Sequence, residues 1–267
     1  MSSRQPRNAV VVAHPDDEAL WLSSVVASAE RIVFGFGAVL DQPAWSKARR
    51  RAVAALPLNG IVNLEIPESG VDWESYQIQP ELTPLGIKIS ESSVRERYES
   101  NYARLHDGLR ASLTGCADVY THNPWGEYGH PEHIQVYRAV TALQEELGYK
   151  VWFSNYVSAR NLTFVRGLAE RLSWAQRAVV RPDVGLARAL MAVYRHHGAW
   201  TYPSAHRWPV HEVMYCQPLL SSADRGHAFT SEWLLDVTRL RSWSPPWRDP
   251  RRHLEPLDKR CGHALPP

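Results

Sequence analysis

Cysteine is scarce in this chain. The three present, Cys116, Cys216 and Cys261, are far apart, odd in number and without a C-x-x-C pair, which argues against a disulfide framework and a cysteine-based zinc site. An excess of one charge is also missing. Thirty Lys and Arg against 28 Asp and Glu leave a net charge of +2, too little to mark nucleic acid or an anionic membrane as a partner. No apolar run is long enough to span a bilayer. Residues 1–8 are polar and lead into the first apolar stretch without the apolar core of a signal peptide. No G-x-G-x-x-G follows that stretch, so dinucleotide binding has no support. Internal repeats and low-complexity segments are absent too. The expectation is a reduced, soluble, cytoplasmic protein with no nucleic-acid and no membrane partner. Its oligomeric state is left open.

What is present suits one large α/β domain. A chain of 267 residues with 44% hydrophobic content can bury a sizeable core. Residues 9–13 (AVVVA) read as a buried strand, followed by a helix over 19–30. A second strand is expected over 31–40, a helix over 43–56 and a third strand over 61–66. This alternation implies a Rossmann-like α/β fold, a mostly parallel sheet with helices on both faces. Residues 67–90 read as a long loop, and 93–113 as a charged helix. A short strand over 117–121 and a helix from Pro131 to about Leu147, closed by Gly148, follow. A strand is expected over 150–157, a helix over 186–194 and an edge strand over 210–215. The expected domain spans 1–241, with 158–241 contributing cleft elements, and 242–267 reads as a Pro- and Arg-containing tail.

Two stretches carry chemistry. The first is His14-Pro15-Asp16-Asp17-Glu18, on the turn that leaves the first strand. His14 and Asp17 are three apart, so both can reach one cation. Acids at a helix start are also favoured by the helix dipole alone. The second is Tyr128-Gly129-His130-Pro131-Glu132-His133, again a strand-to-helix turn. Two such turns from one parallel sheet can meet at its carboxyl edge. His14, Asp17 and one second-loop histidine supply two imidazoles and a carboxylate. That donor set suits catalytic zinc with positions left for water and substrate, and suits Fe(II) as well. Asp16 and the remaining histidine are then left over for acid–base work.

The pair A-H-P-D-D-E and G-H-P-E-H resembles the PIG-L/LmbE-type de-N-acetylases over roughly residues 8–157. That superfamily includes the N-acetylglucosaminyl-phosphatidylinositol deacetylase, the deacetylases of mycothiol and bacillithiol biosynthesis, and antibiotic-tailoring sugar deacetylases. The usual second motif is H-P-D-H. Glu132 replaces its Asp, at a position not expected to bind metal. The resemblance implies His14, Asp17 and His133 as ligands of Zn²⁺ or another divalent cation, and Asp16 as general base. It implies His130 as general acid or oxyanion stabiliser, and Tyr128 as an oxyanion contact. The implied reaction is hydrolysis of an N-acyl group, commonly N-acetyl, from an amino sugar or glycoside. Two alternatives remain: a metal-dependent amidase acting on a non-sugar or thiol-conjugate amide, and a non-catalytic Rossmann-like module with a vestigial metal site.

The chain holds 11 Trp but only 5 Phe. Trp125, Trp200, Tyr202 and Trp208 could line a sugar cleft, with core packing as the commoner use of such residues. His196, His197, His206 and His211 are expected in non-metal roles, because the triad is complete without them. Arg49, Arg50 and Arg51 share one helix and point different ways. A solvated face is expected for them.

Overall fold

The computed structural model describes residues 7–76, 78–169, 171–202, 206–219, 226–229 and 234–237. The expected tail, 242–267, and Cys261 lie outside the described residues. The chain opens with β1 (Arg7–Val12), α1 (Asp17–Trp21), a 3-10 turn (Val26–Ser28), β2 (Arg31–Phe34), α2 (Pro43–Ala54) and β3 (Ile61–Asn63). Next come α3 (Trp73–Tyr76), β4 (Leu82–Thr83), β5 (Gly86–Ile87), α4 (Ser92–Leu113), β6 (Cys116–Thr121), α5 (Gly126–Gly129), α6 (Pro131–Leu147), β7 (Lys150–Ser154) and β8 (Tyr156–Val157). The last elements are α7 (Leu162–Ala169), β9 (Ser173–Trp174), β10 (Gln176–Val180), α8 (Val184–His196), β11 (Glu212–Cys216), β12 (His227–Ala228) and β13 (Leu235–Asp236).

Seven strands form one sheet in the order β10-β11-β7-β6-β1-β2-β3. The pairs from β7 to β3 are parallel, and β11 is antiparallel to both of its neighbours. Val10, Val11 and Val12 are fully buried, because β1 is covered on both faces, as an unbroken apolar run requires. Val10 and Val12 pack with Ala52 and Val53 of α2 and with Leu190 and Tyr194 of α8. Ala9 and Val11 pack with Leu105 and Leu109 of α4 and with Val136 and Val140 of α6. The Rossmann-like α/β class expected from the alternation is therefore observed. Among the described residues no helix is long and apolar enough to cross a membrane.

The strand order places the functional loops. β1, β2 and β3 run outward in sequence, and the chain then returns to lay β6 on the other side of β1. Ligands of open α/β sheets bind outside the carboxyl ends at such a reversal. His14 follows β1, and His122 follows β6, so both histidine motifs start at that crevice.

Several boundaries differ from the sequence expectation, each for a local reason. The helix expected over 19–30 is only α1 and a 3-10 turn. Asp17 to Leu22 are buried all round, so this is not a surface helix, and Ser23-Ser24-Val25-Val26 are weak helix formers. The second strand stops at Phe34, before Gly35 and Gly37. A Cβ on Gly37 would lie 2.6 Å from Asn63 Oδ1, so the Asn63 side chain would have to move for any other residue there. The loop 67–90 contains α3 and the β4–β5 hairpin. The strand expected over 150–157 is divided at Asn155, whose Oδ1 accepts from Val213 N–H at 3.0 Å. The strand expected at the sheet edge, β11, is interior, and β10 takes the edge. All five β11 residues are buried, the mark of a strand flanked on both sides.

Glu212 begins β11 in this interior position, 1% exposed. The Tyr156 hydroxyl donates to its Oε2 at 2.5 Å. Burial pushes the Glu212 carboxyl up to about 7, against the pull of its hydrogen bonds. The folded state thus holds this proton more tightly than the unfolded chain does. Glu212 therefore costs stability progressively as pH rises through the interval up to about 7, and the cost is constant above it. Glu212→Gln removes the titration and is expected to be the more stable chain at about pH 8, by on the order of 3 kcal/mol relative to its difference at about pH 5. Denaturant unfolding of both chains at the two pH values checks this. An equal difference at both would show that Glu212 titrates normally.

Candidate active site

Pro15 ends the apolar run of β1, and the chain turns sharply at Asp16. Its backbone is left-handed, with φ 111° and ψ −20°, an uncommon region for a residue with a Cβ. Side chains fix the turn. The Asp16 N–H donates to Glu18 Oε2 at 3.1 Å, and the Tyr194 hydroxyl of α8 donates to Glu18 Oε1 at 2.8 Å. The His14 N–H donates to Asp17 Oδ2 at 2.8 Å, and the Trp21 indole N–H to Asp17 Oδ1 at 3.0 Å. The Thr201 N–H and hydroxyl both donate to Asp16 Oδ2.

The second motif is held from the other side of the crevice. His130 caps α6, its Nδ1 accepting from the Glu132 N–H at 3.3 Å, and Pro131 occupies the first turn, where no N–H is needed. This hydrogen bond assigns the lone pair to His130 Nδ1, and hence the proton of the neutral ring to Nε2. His133 lies on the first turn of α6, fully buried, with Nδ1 2.7 Å from Glu127 Oε2. The Tyr128 ring sits 5.4 Å from that of His133 and 5.7 Å from that of His130.

The two motifs converge on Asp17 Oδ2. It lies 3.3 Å from His14 Nδ1, 3.3 Å from His133 Nε2 and 3.5 Å from His122 Nε2. Two donors on one tetrahedral zinc at about 2.0–2.1 Å are themselves separated by about 3.3 Å. His133 Nε2 is buried without a hydrogen-bond partner. His14 Nε2 faces Glu132 Oε2 at 2.8 Å, so the ring turns its other nitrogen toward Asp17. Each histidine thus has one nitrogen on a buried glutamate and the other at the common point, the usual dress of a metal-bound imidazole. His14 and His133 are thus joined through Asp17 Oδ2, and two overlapping groups, His14 with His130 and His133, and Asp17 with His122 and His133, offer ligand atoms that all lie within 4.8 Å of one another. A third group with the same spacing is His14, Glu68 and Glu132. The residues present fit a divalent cation.

Charge points the same way. Asp16, Asp17, Glu18, Glu127 and Glu132 are each at most 3% exposed, and Arg49 at 5% is the permanent cation beside them. Burial lowers the proton affinity of His14, but Asp17, Glu132 and Glu68 outweigh it and draw this imidazole up to about 10. A field that holds a proton so firmly also favours a metal cation. Burial raises Asp17, but the three surrounding histidines hold it well below the usual carboxylate range. Asp16 goes the other way: burial and the adjacent Asp17 charge push it up to about 7, against Thr201 and Arg49. Burial and the neighbouring His133 and His14 rings hold His130 well below the usual imidazole range.

The six residues singled out from the sequence, His14, Asp16, Asp17, Tyr128, His130 and His133, are all brought to this crevice. One other expectation needs correction. Arg49 is not on a solvated face: it is buried and pairs with Glu68, whereas Arg50 and Arg51 are exposed. Trp125 is core, fully buried, with its indole N–H on Tyr156 O at 2.6 Å. Trp200 and Tyr202 are buried in the core cluster of α8. Tyr202 meets Trp21 edge-on at 5.3 Å, and Trp208 donates to Ala19 O at 2.7 Å. Trp200, Tyr202 and Trp208 pack beside α1, which follows the first motif. His196, His197, His206 and His211 enter none of the donor groups found among the described residues. His122, Glu127, Ser69 and Thr201 were missed. His122 alone carried a visible signal, directly after a strand; the others reach the site only through tertiary packing.

No protein-family model and no curated protein sequence matches the chain. Its structure is similar to that of teicoplanin deacetylase Orf2 in a zinc-inhibited form, at 11% identity and a TM-score of 0.52, over 81% of this chain and all of that one. It is equally similar to a deacetylase–bog complex of the teicoplanin biosynthesis pathway, at 13% identity, with the same TM-score and coverage. At such identities the likeness is one of fold.

Zinc titration tests the donor set. We expect about one zinc per chain by elemental analysis after removal of free metal, and strong loss of occupancy in Asp17→Ala. Full occupancy in a chain with His14, Asp17 and His133 all replaced by Ala would discard these residues as ligands.

Proposed function

We propose that this chain is a metal-dependent hydrolase that removes an N-acyl group, N-acetyl first among them, from an amino sugar or glycoside. The observation that carries this reading is the convergence of His14 Nδ1 and His133 Nε2 on Asp17 Oδ2, each at 3.3 Å, with a further carboxylate, Asp16, alongside. The resemblance of the two motifs to de-N-acetylases supports it. So does the fold shared with two deacetylase structures of teicoplanin biosynthesis, as an argument by analogy.

In this reading His14, Asp17 and His133 hold the cation. A divalent cation there supplies Lewis acidity, acidifying water and polarising the amide carbonyl. Asp16 acts as general base: Thr201 occupies its Oδ2, which leaves Oδ1 to take a proton from the attacking water. The same carboxyl then returns that proton to the departing nitrogen, so a free amine and a carboxylic acid result and the protons balance. His130, neutral with its proton on Nε2, donates a hydrogen bond to the oxygen of the tetrahedral adduct. Its cap bond to Glu132 N–H fixes that tautomer, which suits an oxyanion donor better than a cationic acid. Tyr128 lies beside both histidine rings and supplements this stabilisation.

Incubation with a panel of N-acetylated amino sugars, glycosides and thiol conjugates, with zinc and separately with other divalent cations, should release acetate from the sugars. Asp16→Asn and His130→Ala are expected to retain the metal and lose about 10²–10⁴-fold in kcat. Their KM values should change less, because both groups act chiefly in the transition state. Near-parental turnover in both variants would refute the roles, and hydrolysis of no N-acyl compound would leave a vestigial site. Release confined to non-sugar amides would favour the amidase alternative.

A further inference from the structure

His122 stands as close to the common point as a ligand would, yet its lone pair is already used. The Ala13 N–H donates to His122 Nε2 at 2.8 Å. Parallel pairing of β1 with β6 runs up to Val11 and Thr121, and the imidazole takes over as acceptor for the β1 backbone just beyond it. A nitrogen that accepts carries no proton, so the proton of this ring is on Nδ1. His122 Nδ1 lies 3.0 Å from Glu127 Oε2, and His133 Nδ1 lies 2.7 Å from the same oxygen. An ionised carboxylate only accepts, so both Nδ1 atoms are donors. The two rings are stacked, with centroids 3.9 Å apart at 21°. Of the two, only His133 has its remaining nitrogen buried without a hydrogen bond, facing Asp17 Oδ2 at 3.3 Å.

Glu127 is held in place at visible conformational expense. Its backbone has φ 51° and ψ −74°, inside the G-E-Y-G turn between two glycines. A residue with a Cβ is strained there, and such strain persists where the surroundings over-determine it. They do so here: Glu127 is fully buried, and its Oε1 accepts from the Asn123 N–H at 3.1 Å. Its own N–H donates to Asn123 Oδ1 at 2.8 Å, and its carbonyl accepts from the Ser158 N–H at 3.1 Å.

We infer that His122 and Glu127 form one positioning unit for His133. His122 is not a ligand. It is a strut that ties the backbone of the first motif, at Ala13, through Glu127 to the ring of the second motif, and so fixes the tautomer and position of His133. This rests on the reading that His133 holds a cation, but not on any substrate or reaction. Outer partners of metal-bound histidines typically govern affinity by about 10–100-fold.

Zinc affinity, measured by competition with a chelator, is the first test. Glu127→Gln should bind zinc about 10–100-fold more weakly than the parent. His122→Phe keeps a flat ring but no donor and should also weaken binding. His122→Asn places an amide N–H where Nδ1 was and should recover much of the loss, which a purely space-filling role would not produce. Ring ¹⁵N spectra of the zinc-loaded parent need no variant and stay decisive if one fails to fold. They should show metal on His133 Nε2, a proton on Nδ1 of both rings, and no metal on His122. Metal on His122, or parental zinc affinity in Glu127→Gln, would overturn the inference. A parent that binds no divalent cation would overturn both this inference and the proposed function. If the parent binds zinc as expected but hydrolyses no N-acyl compound, the function falls and the positioning unit stands. If it hydrolyses acetamido sugars while Glu127→Gln keeps full affinity, the reverse holds.

Discussion

A carboxylate taken out of water must be matched by protons, hydrogen-bond donors or a cation, and this chain buries five in one crevice. The rest of the site follows from meeting that demand. Asp17 meets it with the imidazoles of His14 and His133, an indole and a backbone N–H. Glu127 meets it with two imidazoles and Asn123, and Glu132 with His14 and Ser69. Glu18 relies on a tyrosine, and Asp16 on a threonine. The imidazoles cannot serve every carboxylate at full charge without repelling one another. A divalent cation at the shared oxygen of Asp17 would resolve this with a single positive centre and would let the histidines be neutral. Asp16, left with neutral donors and a like-charged neighbour, has the raised proton affinity of a group that can exchange protons near neutrality.

Much of this was legible in the sequence because the informative residues are local. The valines of β1 followed by proline announce a buried strand and its end. His14 and Asp17, and likewise His130 and His133, sit at spacings that share one turn, so each half of the site can be read without knowing the fold. The order of the sheet could not be read so directly. Nothing local in EVMYC says that β11 lies between β7 and β10, because a short apolar run is compatible with several places in a sheet. The supporting shell was hidden for the same reason. Thr201 and Ser69 are ordinary polar residues until packing aims them at Asp16 and Glu132. Arg49 looked like one of three solvated arginines, and only the fold turns it inward to Glu68.

Glu132 links the two halves of the site. Its carboxylate spans from Ser69, whose N–H and hydroxyl it accepts at 2.7 and 2.9 Å, to His14 Nε2. The second motif therefore orients a residue of the first. Glu127 does the converse, since His122 links it back to Ala13. The two halves of the site are braced against each other by reciprocal glutamates, Glu132 reaching His14 and Glu127 reaching His122 and through it Ala13.

The left-handed turn at Asp16 has a temporal consequence. The groups that hold it, Tyr194 and Thr201, come 176 and 185 residues later than their partners Glu18 and Asp16. Contacts between such distant parts of a chain close late, because the intervening loop must be ordered first. During synthesis both histidine motifs leave the ribosome well before the threonine that fixes the Asp16 carboxylate. A nascent chain thus carries the side chains of both motifs before Thr201 can fix the Asp16 carboxylate, which happens only once α8 and the segment that follows it have docked.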